Sequence, residues 1–574
     1  MRSRKNQDNP PAALSGQYNY NTARSPSSGQ ALSDALMGNF YQYTEANSIR
    51  QGWYRFTQIE PYFQDDWRVS NRLTVNLGVR YSYMGPQYSA LNNTVQFLPQ
   101  LFDPKQAATV NPSNGTITAQ PNPYNGLVIP GVEFPVQAKG RVLQYDDPAV
   151  KALFRDLPLG GASTRWGNIA PRFGFAYDLT GNQSTVLRGG FGAAYERIQG
   201  NFIFSAINNV PFSNQVTVVN GNINNPSGGG ANALSPQTIS NSHYLDMKNP
   251  RTLTFSLGIQ RKVGRQMLVT ATYVGSGASN LSYQQDINQL PAGTGTSNFV
   301  PGSTTTLANV NSLRPYRGYG NIYEFNTGAN FTYHSFQSQF RKQFTGAGII
   351  NLAFTFAKGR TDANSYNSQP MDSYNLRGDW GPSSYGRDKV FVASYVYPIP
   401  FWQKDRSTWY KKGFGGWQVS GVTQIQSGLP VNPTISSDRA GTGDGSQRPN
   451  IVGDPYSGGP VGGYQYLNYT AFALPTAGTF GNLSAYHIFL PRWQNWNVSL
   501  TKSFPLREKV SAYFRFEIYN VANHLSIFSV NTGSFNGYST NATTGATSST
   551  TANWGQVAGT SDPRTMQARL RISF

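Results

Sequence analysis

The segment Arg564–Phe574, RTMQARLRISF, alternates without a break. Met566, Ala568, Leu570, Ile572 and Phe574 form one series, and Thr565, Gln567, Arg569, Arg571 and Ser573 the other. Successive strand residues point to opposite faces. One face is therefore expected to be apolar and the other polar, with two arginines. The same pattern recurs upstream. In RLTVNLGVRYSY (72–83), Leu73, Val75, Leu77, Val79, Tyr81 and Tyr83 alternate with Arg72, Thr74, Asn76, Gly78, Arg80 and Ser82. RTLTFSLGIQ (251–260), WNVSLTKSF (496–504) and KVSAYFRFEIYN (509–520) repeat it. Runs of about 8 to 12 residues match a tilted strand crossing a bilayer.

The composition fits strands. Tyr and Phe number 34 each and Gly 59, while 13% of residues are charged; aromatics favour strands and glycine favours turns. Mean hydropathy is −0.44. No run of about 18 to 20 apolar residues is present to span a membrane as a helix. A membrane β-barrel escapes that test because half of each strand can be polar. There is no cysteine, which excludes disulfides and thiolate metal sites. The net charge of +19 comes from scattered Lys and Arg, not from a dense basic run, so no nucleic-acid partner is expected. The first residues, MRSRKNQDNPPAALSGQYNY, lack the apolar stretch of a secretory signal.

Connections fall into two kinds. Short ones are expected at Val69-Ser70-Asn71, Thr180-Gly181-Asn182-Gln183, Val263-Gly264-Arg265, Thr345-Gly346-Ala347 and Pro505-Leu506-Arg507. Long ones, rich in Gly, Asn, Ser, Thr and Pro, fall near 84–167, 196–250, 276–330, 359–387, 427–492 and 521–563. A longer link near 398–415 sits where a short turn is due. Short turns at one end and long loops at the other are the layout of outer-membrane barrels. Trp53, Trp67, Trp166, Trp417, Trp493 and Trp496 fall near strand ends, where interfacial aromatics belong. The expected fold is all-β: a transmembrane, antiparallel, up-and-down β-barrel with short periplasmic turns and long extracellular loops. About 13 to 14 strands are legible.

Three segments then carry a family resemblance: IEPYFQDDWRVSNRLTVNLGVRYSY (59–83), IAPRFGFAYDLTGNQSTVLRGGFGAAYE (169–196) and NWNVSLTKSFPLREKVSAYFRFEIYNVANH (495–524). Together with the aromatic C-terminus they resemble the TonB-dependent outer-membrane receptors, in particular the Oar-like type. The most telling motifs are Gln64-Asp65-Asp66-Trp67 and Asn520-Val521-Ala522-Asn523-His524. The resemblance implies a barrel of about 22 strands with a plugged lumen, driven by the TonB complex. It further implies Phe574 as the signal read by the barrel assembly machinery. The sequence departs from the pattern, with no plug, TonB box or signal peptide legible. The expected division is a polar segment over 1–50 and a receptor-like barrel over 51–574, the C-terminal part of a larger receptor. The strand count is odd, and one more strand near 36–45 would repair parity without supplying a plug.

Catalytic chemistry is not legible. His243, His334, His487 and His524 show no metal-ligand spacing. His334 is expected in the lumen or a girdle. Asp438, Asp444 and Gly445 in SDRAGTGDGSQ (437–447) lack the spacing of a calcium loop and read as a solvated loop. The glycines of LRGGFGAAYE (187–196) read as room for lumen side chains or a plug to approach. Asp65 with Asp66, and Glu517 beside Arg515, read as lumen salt bridging. No enzyme, cofactor or metal is expected. Ligand binding in the loops is expected from the aromatics Tyr316, Tyr319, Tyr323, Trp380 and Tyr385. The expected setting is the outer membrane, with lipid and lipopolysaccharide as partners and ligand uptake as function. A TonB partner is expected only where a plug is present. The competing reading is a secreted all-β adhesin or glycan-binding protein, with hairpins at both ends and its oily rows stacked inside.

Overall fold

The computed structural model describes residues 2–574 apart from 10–12, 23, 25, 47–48, 214, 220, 226–234, 244, 298–308, 345–347, 403–406, 457–463, 508–509 and 541–546. The expected turn at Thr345-Gly346-Ala347 lies outside the described residues. The strands that precede the main sheet include β1 (Arg2–Asn9) and β2 (Arg50–Ile59). The sheet itself comprises β3 (Tyr62–Arg68), β4 (Leu73–Tyr81), β5 (Ile169–Asp178), β6 (Thr185–Tyr195), β7 (Arg251–Val263), β8 (Met267–Asp286) and β9 (Tyr319–Gln343). It continues through β10 (Ile349–Thr361), β11 (Lys389–Pro398), β12 (Trp417–Gln426), β13 (Trp493–Arg507), β14 (Val510–Tyr519) and β15 (Thr565–Ser573). Each strand pairs antiparallel with the next in sequence, so the thirteen form the up-and-down path of the sheet from β3 to β15; Gln237–His243, parallel to β9, and Gly381–Pro382, beside β10, join it off that path.

The registers place the apolar series of all thirteen strands on a single face. Leu77 lies opposite Phe173, Phe173 opposite Phe191 and Phe191 opposite Phe255. One step along, Leu257 meets Tyr273, Tyr273 meets Phe336 and Phe336 meets Phe356. Val419, Leu500, Phe516 and Ala568 continue the face to the last strand. No second sheet covers it among the described residues: Leu257 is 53% exposed and Leu570 65%. A row of bare aromatic and aliphatic side chains thirteen strands wide is stable only against acyl chains. The stacked interior required by a secreted adhesin is thus overturned.

The buried cores lie in the loops. Leu91, Val95, Phe97, Leu127, Ile129, Val150 and Phe212 form one cluster, with Ile239 and Ile322. Leu467, Phe472, Leu483, Ile488, Phe535 and Trp554 form another. Between strands, the short connections gather at one end and these folded loops at the other.

Several expectations shift. Pro505, Leu506 and Arg507 do not form the expected turn but belong to β13, because the ladder with β14 continues to Arg507 opposite Val510. The loop expected over 276–330 shrinks, because β8 and β9 stay paired as far as Asp286 opposite Tyr323. Near 36–45 there is a strand, Gln42–Ala46, but it pairs with Gln17–Asn19 and Gln215–Val219 outside the main sheet. The main sheet begins at Tyr62, while β2 pairs with β1 and with Tyr83–Met84 and Tyr88–Ser89.

Candidate functional site

The polar face of the sheet is cationic. It carries Arg80, Arg172, Arg188, Arg341, Arg515, Arg569 and Arg571 against Asp66 and Glu517, with Asp178 at the turn end. Arg515 and Arg569 stand directly opposite each other, a like-charge pairing that is unfavourable by itself. Glu517 relieves it: it bridges Arg515 and accepts from Gln567 Nε2 at 2.6 Å. Asp66 accepts from Asn76 Nδ2 on the same face. Asp65 does not join it, because neighbours along a strand diverge; it shares the apolar face with Leu77. His334 also sits on that outward face, where Tyr273 Oη lies 2.6 Å from its Nδ1.

Between Arg172 and Thr254 the polar wall is lowered by Gly78, Gly174, Gly190 and Gly192, which line an open recess with Gln64, Asn76 and Ser256. A Cβ at Gly78, Gly174 or Gly192 would meet no atom of this chain closer than 3.4 Å. The chain's own packing does not demand glycine there. What the glycines provide is room for something else to lie close to the wall.

Above the sheet, ion pairs tie the loops into one layer. Arg314 and Asp286 are both buried, 3.5 Å apart. Arg314 donates to Asn288 O at 2.7 Å and Gly443 O at 2.9 Å, while Asp286 accepts from Ile322 N and Asn288 N, each at 2.9 Å. Burial raises the Asp286 carboxyl, and these bonds with the Arg314 charge oppose it. Arg448 bridges Asp379, joining the loop after β10 to the loop after β12. The segment 437–447 is not simply solvated. Asp438 accepts from Thr442 N at 3.0 Å and Gly443 N at 2.6 Å, and Asp444 is buried. Among the described residues no cluster of His, Cys, Asp and Glu could hold a metal ion.

The five loop aromatics separate. Tyr319 is 2% exposed and donates its hydroxyl to Asn125 O at 2.9 Å, so it packs the loop core. Tyr316 is half-buried, edge-on to Phe97 and Phe102. Tyr323 is half-buried, and burial pushes its hydroxyl up to about 12. Trp380 is half-buried under the Arg377 guanidinium, 4.8 Å from the ring centroid. Tyr385 is 79% exposed. A small cavity of about 40 Å³ where loops meet strands is lined by Met84, Pro86, Ala162, Phe202, Ile203 and Met247, with Arg165 and Arg197 beside them. Neither this cavity nor the Arg314 network is visible in the sequence, since each gathers residues from distant loops.

Residues 1–567 match the family described as outer membrane beta barrel domain. The chain belongs to that family and resides in the outer membrane. No curated protein matches it. Among solved structures it is similar to the outer membrane transporter YddB from Escherichia coli, at 12% identity and TM-score 0.41, over 93% of this chain and 54% of that one. It is also similar to the siderophore receptor PirA from Acinetobacter baumannii, at 11% identity and TM-score 0.40, over 91% and 46%. A third is the ferric-catecholate import receptor Fiu from Escherichia coli, at 10% and 0.38, over 93% and 50%. The chain spans about half the length of these proteins.

Proposed function

We propose that this chain is the C-terminal barrel portion of a TonB-dependent, Oar-like receptor that binds a ligand in its outer loops and passes it inward. The observation that carries the reading is the pairing of a lipid-facing sheet with a loop layer that has its own apolar cores and buried ion pairs. A simple pore has no need of so ordered a cap, whereas a recognition surface does. The low glycine wall and cationic polar face favour an occupant of the interior that lies close and carries negative charge. A plug domain made as part of the same receptor would meet both conditions, and the TonB complex would act through it.

Ligand contact is assigned to the outer rim, with Tyr385 and Trp380 offering aromatic faces to sugars or extended peptides. Tyr316 and Tyr323 would support the rim from below, and Tyr319 would hold its core. Phe574, 96% exposed after the last strand, is proposed as the mark read by the assembly machinery. The basic surplus outside would meet lipopolysaccharide phosphates.

The test is binding of detergent-solubilised protein to an oligosaccharide array and a set of extended peptides. Tyr385→Ala with Trp380→Ala is expected to lower the strongest signal at least tenfold while heat-modifiable gel mobility stays unchanged. Binding unaffected by the pair would refute the rim assignment. Deleting Phe574 is expected to cut the heat-modifiable fraction made in cells several-fold.

A further inference from the structure

The thirteen-strand sheet has two open edges, β3 and β15, and among the described residues they do not pair with each other. Both strands run from the loop end to the turn end, so they cannot join antiparallel. An edge strand in hydrocarbon has no water for its outward N–H and C=O groups. The edge of β3 has to be filled.

The strand β1 indicates by what. Strands β2 and β3 are one ribbon, interrupted only at Glu60–Pro61. The numbers of paired residues add to 142 both where β2 meets Tyr83–Met84 and where β3 meets β4. Backbone bonds bracket the interruption, from Tyr81 N to Pro61 O and from Gly85 N to Thr57 O, each 3.0 Å. The β4 side of the ribbon is therefore occupied along its length. Tyr54 and Arg55 pair with Tyr88–Ser89 on that side and with β1 on the other. So β1 lies on the side that is open along β3. It runs antiparallel to β2 with Arg2 opposite Thr57, and its Arg2 end points toward β3. Its sequence, RSRKNQDN, has no apolar series and suits water above the bilayer.

Resting on the receptor reading above, we propose that the open edge of β3 is filled by a strand running from the turn end to the loop end and entering β1 from its Arg2 end. The occupant is polypeptide joined ahead of Met1. Paired numbers along β1 and β2 add to 59. Continuing that register sets Phe63, Asp65 and Trp67 opposite the fifth, seventh and ninth residues ahead of Met1. Phe63, Asp65 and Trp67 share the face of Val79, Leu77 and Val75, so those three positions face lipid. The new edge then runs opposite to β15, as antiparallel closure requires.

The absence of cysteine lets engineered pairs report alone. In the receptor expressed with all coding sequence that precedes Met1, Asp65→Cys is combined with a cysteine at the seventh residue ahead of Met1. Directly opposite residues have Cα atoms about 4.5 to 5.5 Å apart, within disulfide reach. Oxidation is expected to link them within one chain, at least tenfold more than a cysteine four residues further ahead. The proposal is overturned if Asp65→Cys links instead to Ala568→Cys in β15, or to a second chain as a dimer, or if no coding sequence precedes Met1. The pair Asp65→Cys with Leu77→Cys reports β3–β4 alone; if it fails to link, or the protein stays soluble without detergent, the barrel reading itself fails.

Discussion

Single residues settle the geometry of the loop ends. Asn520 and Asn523 adopt positive φ, 50° and 47°, a region where asparagine is tolerated better than most residues. Asn520 then donates to His524 O at 3.1 Å and Asp562 O at 3.0 Å, and Asn523 accepts from Arg564 N. The motif Asn520–His524 thus clips the top of β14 to the start of β15. Arg314 has a comparable role higher up. Arg314→Ala would leave Asp286 buried without its cation, at a cost of about 3 to 5 kcal/mol. Limited proteolysis is expected to cut the loops of the variant at lower protease concentration, with the heat-modifiable barrel intact. Glu324 gives the layer a pH dependence. It lies on the part of β9 above the register break near Ala329, outside the bilayer, and burial pushes its carboxyl up to about 7 from 4.5. The stabilising contribution is complete below about pH 4.5 and lost as pH rises through about 7. Hydrogen exchange of the loop layer is expected to quicken across that window, and Glu324→Gln to flatten the trend.

At the scale of the strand, dyad polarity made most of the sheet legible. A bilayer imposes period two on every residue it touches, so β4, β7, β13, β14 and β15 declare themselves. The upper parts of β8 and β9 stand above the lipid. There no solvent forces alternation, and tertiary pairing alone extends the strands. The same reason hid β1, whose sequence RSRKNQDN has no apolar series. Leu257 sits mid-strand on the lipid face between Gly189 and Tyr273. Leu257→Arg is expected to cost about 2 to 4 kcal/mol, read as a lower urea midpoint for the barrel in detergent or lipid. Thr254→Arg, on the polar face, is expected to leave that midpoint nearly unchanged.

Across the whole molecule, the charge on the polar face is the property that a transport assay would read. Arginines on seven strand positions against two central carboxylates create a positive field along any passage they line. In a planar bilayer under a KCl gradient, the barrel closed by the sequence that precedes Met1 is expected to favour anions. Arg569→Glu with Arg571→Glu is expected to move the reversal potential toward cations; an unchanged potential would mean that current does not pass that wall.

By itself the sequence determined the thirteen-strand lipid-facing sheet, its end-to-end asymmetry and the lack of a metal or nucleophile motif, because solvent and lipid act on each residue locally and leave a period. Only the tertiary structure decided the rest. It sent Asp65 outward and Asp66 inward, spent Tyr319 on a core while leaving Tyr385 bare, and joined Asp286 to Arg314 across distant loops. Loop residues answer to neighbours brought from far along the chain, and no local period records who those neighbours will be.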